Sequence, residues 1–374
     1  IAAAEDAGAA STVRHAASIG MTTVVRGDEV VQAAPAGFAY PMGTTVLEVP
    51  AVEALMGADV AAALSADTIV MSELTASLRG AAADDEVTLI ASTGTPVRFT
   101  LGAVVADEVT GGTELLMSPA AADRLALERK SSVVMWDFAD RATLDRALET
   151  NDLVSTSVRI RRSWDPFDPD STLGMARAKS LLGEFAYRVN VDGSVSIDEE
   201  WKAANLPATR ELLDPVIRIR AQCHLTIVPA LRAALAEVAD AGLGWTFNVD
   251  DANRAGGCFN PRFSRLTPDS SIGFLSRHTW AMAIDTNTIG SCQGCIPDID
   301  CTAVRIFRKH GFAWGGNFLR PDGMHFEFVG EARDAGAYPS RFCRNELSGR
   351  SEITVETLRP TIFADSGLIT EAHH

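Results

Sequence analysis

Hydrophobic and polar positions change rhythm along this chain. Residues 1–18 are rich in alanine and read as a frayed or helical start. From Met21 the apolar positions fall into short β-branched runs between glycine and proline, which predicts strands over 22–25 and 44–49. A short helix is expected over 52–64. Residues 86–91 and 96–105 flank Ser92-Thr93-Gly94-Thr95, a hairpin signal. Residues 114–117 lead into a helix over 119–127 with Ser118 as its cap and Pro119 at its first turn. A strand over 132–136 and a helix over 141–149 follow. Later the spacing becomes helical: 173–187, 225–241 (Leu225, Val228, Leu231, Leu235, Val238, stopped by Gly242) and 302–310, with Val304, Ile306 and Phe307 inward and Gly311 as the stop. Residues 326–329 read as a strand. The expected class is α+β: an N-terminal α+β domain with hairpins, then a domain with a small antiparallel sheet flanked by helices.

At 374 residues two domains are the default. Arg159, Arg161 and Arg162, followed by Trp164-Asp165-Pro166-Phe167-Asp168-Pro169-Asp170, disfavour a continuous helix and mark a linker. The expected division is 1–156, a linker over 157–179, a second domain over 180–345 and an extension over 346–374. Hydrophobic content of 47% supports real cores, and 22% charged residues argues against wholesale disorder. The net charge is -16; residues 1–150 hold 21 acidic and 9 basic residues, the rest 28 and 24. Such a chain does not bind nucleic acid or anionic lipid by bulk electrostatics, and the acidic half reads as solubility.

All six cysteines fall after residue 222: Cys223, Cys258, Cys292, Cys295, Cys301 and Cys343. An even count in one domain predicts three disulfides and an oxidising compartment, with Cys223 joined to Cys258 and the others paired among the loop and Cys343. The rival is a second zinc site on Cys292-x-x-Cys295. The start at Ile1 reads as a mature or trimmed extracytoplasmic part, secreted or anchored through a segment upstream. No run reaches the ~18 apolar residues of a membrane helix. His373-His374 reads as the remnant of a tag, and His15, the lone histidine of the first half, as a solvent-facing residue.

Two segments carry the chemistry: Ser276-Arg277-His278-Thr279-Trp280-Ala281-Met282-Ala283-Ile284-Asp285 and Pro321-Asp322-Gly323-Met324-His325-Phe326-Glu327-Phe328. A catalytic zinc needs three N/O ligands, an open position and a carboxylate that moves a proton. His278, Asp285 and His325 fit the ligand role, and Asp322 the base. His278 and Asp285 are seven apart, so they are not neighbours on one helix turn. A strand and the turn before it suit them better, with alternation through Ala281, Ala283 and Asp285. His224 beside Cys223 reads as structural, and His310, at a helix end where a cation favours the dipole, as non-catalytic.

These segments resemble the VanY-like zinc peptidases, which include D-alanyl-D-alanine carboxypeptidases and L-alanyl-D-glutamate peptidases of bacterial cell walls. Ser276, His278, Ala283 and Asp285 match Ser-x-His-x-x-Gly-x-Ala-x-Asp, with Ala281 where glycine is usual; Asp322 and His325 match Asp/Glu-x-x-His. Gly311-Phe312-x-Trp314-Gly315-Gly316 and Gly256-Gly257-Cys258-Phe259-Asn260-Pro261-Arg262 resemble the L-alanyl-D-glutamate branch. The similarity spans roughly residues 180–335. It implies Zn2+ on His278, Asp285 and His325, with Asp322 as general base. It also implies an arginine that stabilises the oxyanion, Arg262 first and Arg254 second. Ser276 and Glu327 would support the metal ligands, and Trp314 would be a core residue or a pocket wall. The substrate would be a peptidoglycan stem peptide cut by a secreted peptidase. The rival is a non-catalytic protein on the same fold that binds peptidoglycan or a partner. Separately, Leu78 through Asp85, Val87-Thr88-Leu89-Ile90 and residues 94–105 resemble extracytoplasmic domains of ABC-transporter permeases of the macrolide-exporter type. That implies an interaction or scaffold module coupling to a membrane complex.

Overall fold

A computed structural model describes residues 1–127, 129–155, 157–247, 257–264, 273–338 and 340–345, and the backbone of 368–370. The fold is α+β. Six strands in the first third close into a barrel, in the order Tyr40–Val46, Leu115–Met117, Thr68–Ser72, Pro96–Val105, Glu86–Ile90 and Ala10–Arg26. Ala10–Arg26 then pairs back onto Tyr40–Val46, with His15 opposite Val46 and Met21 opposite Tyr40. Closure leaves these strands without free edges. Glu86–Ile90 and Pro96–Val105 form the expected hairpin. Alternate residues point inward, so Val87, Leu89, Phe99 and Leu101 join Ile19, Met21 and Met42 in the barrel core.

The start of the chain differs from the sequence expectation. Its helix covers only Ala2–Asp6, and a 17-residue strand, Ala10–Arg26, follows. Alanine favours helix only weakly per residue. Here the strand pairs with Lys130–Trp136 at one end and with Tyr40–Val46 and Glu86–Ile90 further along, and that pairing prevails. The helix expected over 52–64 is two, Val49–Met56 and Ala58–Ala62, broken at Gly57 with φ 100°. The helix expected over 173–187 ends at Leu182, where Gly183 takes φ 80°. Tyr187–Val189 instead pairs with Val195–Ile197. Ser118 caps its helix as expected, accepting from the Ala121 amide at 3.1 Å, although that helix stops at Asp123.

The C-terminal part is built on a three-stranded antiparallel sheet, with His325–Phe328 between Ala283–Asp285 and Phe312–Trp314. The helix Cys301–Lys309 covers it: the Phe307 ring lies 4.2 Å from that of Phe326 and 5.4 Å from that of Phe312, centroid to centroid. Trp280, Trp314 and Phe247 complete this core, against which the helix Val228–Asp240 also packs. The cysteines pair as Cys223–Cys258, Cys292–Cys295 and Cys301–Cys343. Cys292 and Cys295 are bonded to each other, which overturns the alternative of a second zinc site on that pair.

The segment read as a linker makes many contacts. It contains the strand Ile160–Arg162, the buried carboxylates of Asp168 and Asp170, and the start of the helix Met175–Leu182. Lys179 of that helix is buried against the barrel. Its ammonium meets Glu114 Oε1 at 2.7 Å and Glu184 Oε1 at 3.0 Å, and donates to the Pro41 carbonyl. Arg79 closes the quartet, pairing with Glu184 and lying 3.6 Å from Glu114. Ala39 of the barrel and Tyr187 exchange two backbone hydrogen bonds, at 2.8 and 2.9 Å.

Candidate metal centre

His278 sits on a 3-10 turn, Arg277–Trp280, just before the strand that carries Asp285, the turn-then-strand arrangement that the seven-residue spacing suggested. Ser276 caps the turn, its hydroxyl accepting from the His278 amide at 3.4 Å. Ala281 ends it with φ 52°, in the left-handed region, and so redirects the chain into Ala283–Asp285. Asp285 lies directly opposite His325 across the sheet. Cross-strand partners point to the same face, which explains how residues forty apart in sequence meet.

One oxygen of Asp285, Oδ1, faces both imidazoles: His278 Nε2 at 3.1 Å and His325 Nδ1 at 3.2 Å. One donor atom from each of the three residues lies within 4.8 Å of the others. The second nitrogen of each ring is also engaged. His278 Nδ1 donates to the Cys258 carbonyl at 2.9 Å. His325 Nε2 faces Glu327 Oε2 at 3.8 Å, and Arg277 Nε meets Glu327 Oε1 at 3.1 Å. An outer hydrogen bond such as that from His278 to the Cys258 carbonyl fixes the tautomer and ring plane of a metal-binding histidine, while the Glu327 carboxylate acts on His325 as a nearby charge.

Electrostatics bind the group tightly. Burial pushes the Asp285 carboxyl up, but hydrogen bonds from His278 and His325 and their charge prevail and hold it well below the usual carboxylate range. Burial disfavours a charged His325, yet its hydrogen bonds to Asp285 and Glu327 outweigh that, and it is pushed up to about 10. The site thus favours positive charge between its carboxylates, the environment a divalent cation needs.

Asp322 follows the Gly315–Asn317 turn and is half-buried. Its amide donates to the Gly315 carbonyl at 2.9 Å, and its own carbonyl accepts from the His325 amide at 3.1 Å. Its Oδ1 is buried with no hydrogen-bond partner in the protein. Burial raises its carboxyl, opposed by the charges of His325, His278 and Arg262. Arg262 stands beside an isolated bridge in which Phe263 opposes Leu275, its carbonyl accepting from the Ser276 amide at 2.9 Å. Arg254 and Gly256 lie outside the described residues. Trp314 is fully buried, and its indole N–H donates to the Gly323 carbonyl at 2.8 Å, so it supports the Asp322 turn from within the core. His224 is buried with Nε2 2.9 Å from the Leu182 carbonyl, away from this centre. His310 pairs with Glu237 at 2.7 Å. The roles of Arg277 and of the Cys258 carbonyl were not expected from the sequence, although both residues stand within segments that it singled out.

Two imidazoles and a carboxylate, with an unpartnered carboxylate oxygen nearby, form a group that could hold a metal ion. A family profile described as D-alanyl-D-alanine carboxypeptidase matches residues 270–328, a stretch that holds His278, Asp285, Asp322 and His325. The match supports a peptidase in the C-terminal part of the chain. No curated protein matches the chain. Among the described residues, no helix is long and apolar enough to cross a membrane.

Proposed function

We propose that this chain is a zinc-dependent cell-wall peptidase that hydrolyses peptidoglycan stem peptides in an extracytoplasmic compartment. The observation that carries the reading is the convergence of His278, Asp285 and His325 within 4.8 Å, inside the family-matched stretch. The donors fit zinc and leave a coordination position for substrate. A zinc ion held by them would supply Lewis-acid activation of a carbonyl and of water near neutral pH. Asp322 Oδ1 takes the proton of the attacking water and returns it to the leaving amine; its raised carboxyl pKa brings its proton affinity nearer the working pH. Arg262, whose charge acts on Asp322, holds developing negative charge on the carbonyl oxygen. Ser276 and the Cys258 carbonyl orient His278, and Glu327 with Arg277 backs His325. The scissile bond is D-Ala-D-Ala or L-Ala-D-Glu. Three disulfides favour an oxidising location. The barrel serves as a scaffold or partner-binding module, as its resemblance to exporter domains implies.

Zinc content measured together with cleavage of a defined muropeptide panel tests this, using the native chain and Asp322→Ala. One zinc per chain, with cleavage lost in the variant while zinc stays, supports the peptidase and identifies its bond. Bound zinc with no cleavage of any panel member turns the reading to a binding protein. A chain that takes up no zinc overturns the metal centre.

A further inference from the structure

We propose that Asp170, outside both the family-matched stretch and the metal centre, is a positioning residue for Asp322. Its carboxylate is buried and accepts four hydrogen bonds. Oδ1 takes Arg308 Nε at 2.9 Å and the Trp314 amide at 3.1 Å; Oδ2 takes Arg308 Nη2 at 2.5 Å and Asn317 Nδ2 at 2.7 Å. Arg308 is the counter-charge and belongs to the helix behind the sheet. The other two donors belong to Trp314 and Asn317, the two ends of a four-residue turn. Asp170 therefore grips that turn at both ends.

The middle of the same turn holds Asp322. The Gly315 carbonyl accepts from the Asp322 amide at 2.9 Å and from the Phe318 amide at 3.0 Å. The Trp314 indole N–H donates to the carbonyl of Gly323, one residue beyond, at 2.8 Å. No slack remains between the two loops: a Cβ on Gly315 would lie 2.6 Å from the Asp322 carbonyl oxygen and 3.1 Å from His325 Cβ. The backbone around the proton-moving residue is held by the Gly315 carbonyl and the Trp314 indole, and the turn that carries both is tied to Asp170 through the Trp314 amide and the Asn317 side chain. A neighbouring contact extends the pattern: the Leu173 carbonyl accepts from Arg277, which pairs with Glu327 behind His325. Residues 170–173 thus support the centre on both the base side and the ligand side.

This inference rests on the reading of Asp322 as the group that moves the proton. Its test uses the full chain carrying Asp170→Asn, with hydrogen exchange on the metal-free protein and kinetics on the zinc-loaded one. Exchange at the Phe318 and Asp322 amides is expected to quicken about tenfold or more, with the barrel amides unchanged. kcat is expected to fall about 10- to 100-fold, with KM within about twofold and zinc still bound. Unchanged exchange at those two amides overturns the proposal, as does faster exchange with an unchanged kcat. If Asp170→Asn does not fold because Arg308 is left uncompensated, Asn317→Ala carries the same test. It keeps the Asp170–Arg308 pair, and the same two readouts are expected to change about threefold. A native chain that cleaves no panel peptide removes the peptidase reading, while exchange still decides whether Asp170 holds the turn.

Discussion

Removing the Cys223–Cys258 bridge should weaken zinc binding as well as the fold. The bridge spans a sequence separation of 35, and for a loop of that length the chain-entropy relation gives about 4 kcal/mol. For a domain of this size that is a fall of roughly 10 °C in Tm. The bridge has a second role, because the Cys258 carbonyl accepts the His278 Nδ1 proton at 2.9 Å and so sets which nitrogen faces the metal. Loosening such an outer partner costs about 10- to 100-fold in metal affinity. Cys301–Cys343 is the control. It closes a similar loop, with a separation of 42, and touches none of the three ligands. Two double variants, each replacing one cysteine pair by alanine, are compared by thermal unfolding and by zinc titration against a chelating dye. Both are expected to lose about 4 kcal/mol, and only the Cys223/Cys258 variant to lose zinc affinity. Equal zinc affinity in the two variants would refute the claim that the bridge orients His278 through its carbonyl.

Four further outcomes follow from the same centre. Zinc must displace the proton that His325 holds below a pKa of about 10, so apparent affinity should rise about tenfold per pH unit from pH 6 to 9; calorimetry in two buffers of different ionisation enthalpy should find about one proton released per ion. The stability sign is opposite: in the metal-free chain the His325 contribution is fully present below 6.5 and is lost as pH rises through about 10, which urea titrations at pH 6 and pH 10 would reveal. Gly315→Ala should cut kcat at least about tenfold, since the added methyl must displace Asp322 or His325; peptide cleavage at saturating substrate measures it. Ala281→Gly should be at least as stable as the native chain, by up to about 1 kcal/mol in denaturant unfolding, because Ala281 holds φ 52° in a region that disfavours a Cβ.

The candidate donors could be singled out because histidine is scarce in this chain and two of the three stand seven residues apart. Their contact could not be read, since it depends on the register that sets Asp285 opposite His325. The hairpin over 86–105 could be read because its turn residues lie between the strands they join. Barrel closure could not, because β-branched runs say that strands exist and not which strands meet. Residues 10–18 misled for a related reason: their alanines suggest helix, and only partners distant in sequence make them strand. The support of the centre was the least visible part. Asp170 and Leu173 sit in a stretch whose prolines and aspartates suggest a linker, and a carboxylate holding a backbone amide 144 residues away leaves no periodic signature. Backbone carbonyls such as that of Cys258 carry no residue identity at all.

The buried quartet of Arg79, Glu114, Lys179 and Glu184 bears on how such a chain can change over evolutionary time. Each half contributes one cation and one anion, and the shortest contacts run between the halves. Loss of any single member strands a charge in a dry interface, at a cost of about 3–5 kcal/mol, whereas paired replacement by apolar residues can be neutral. Substitutions at these four positions are therefore expected to arise in correlated pairs across related sequences. A barrel borrowed from one relative and a C-terminal half from another would fit only when both halves carry the same solution.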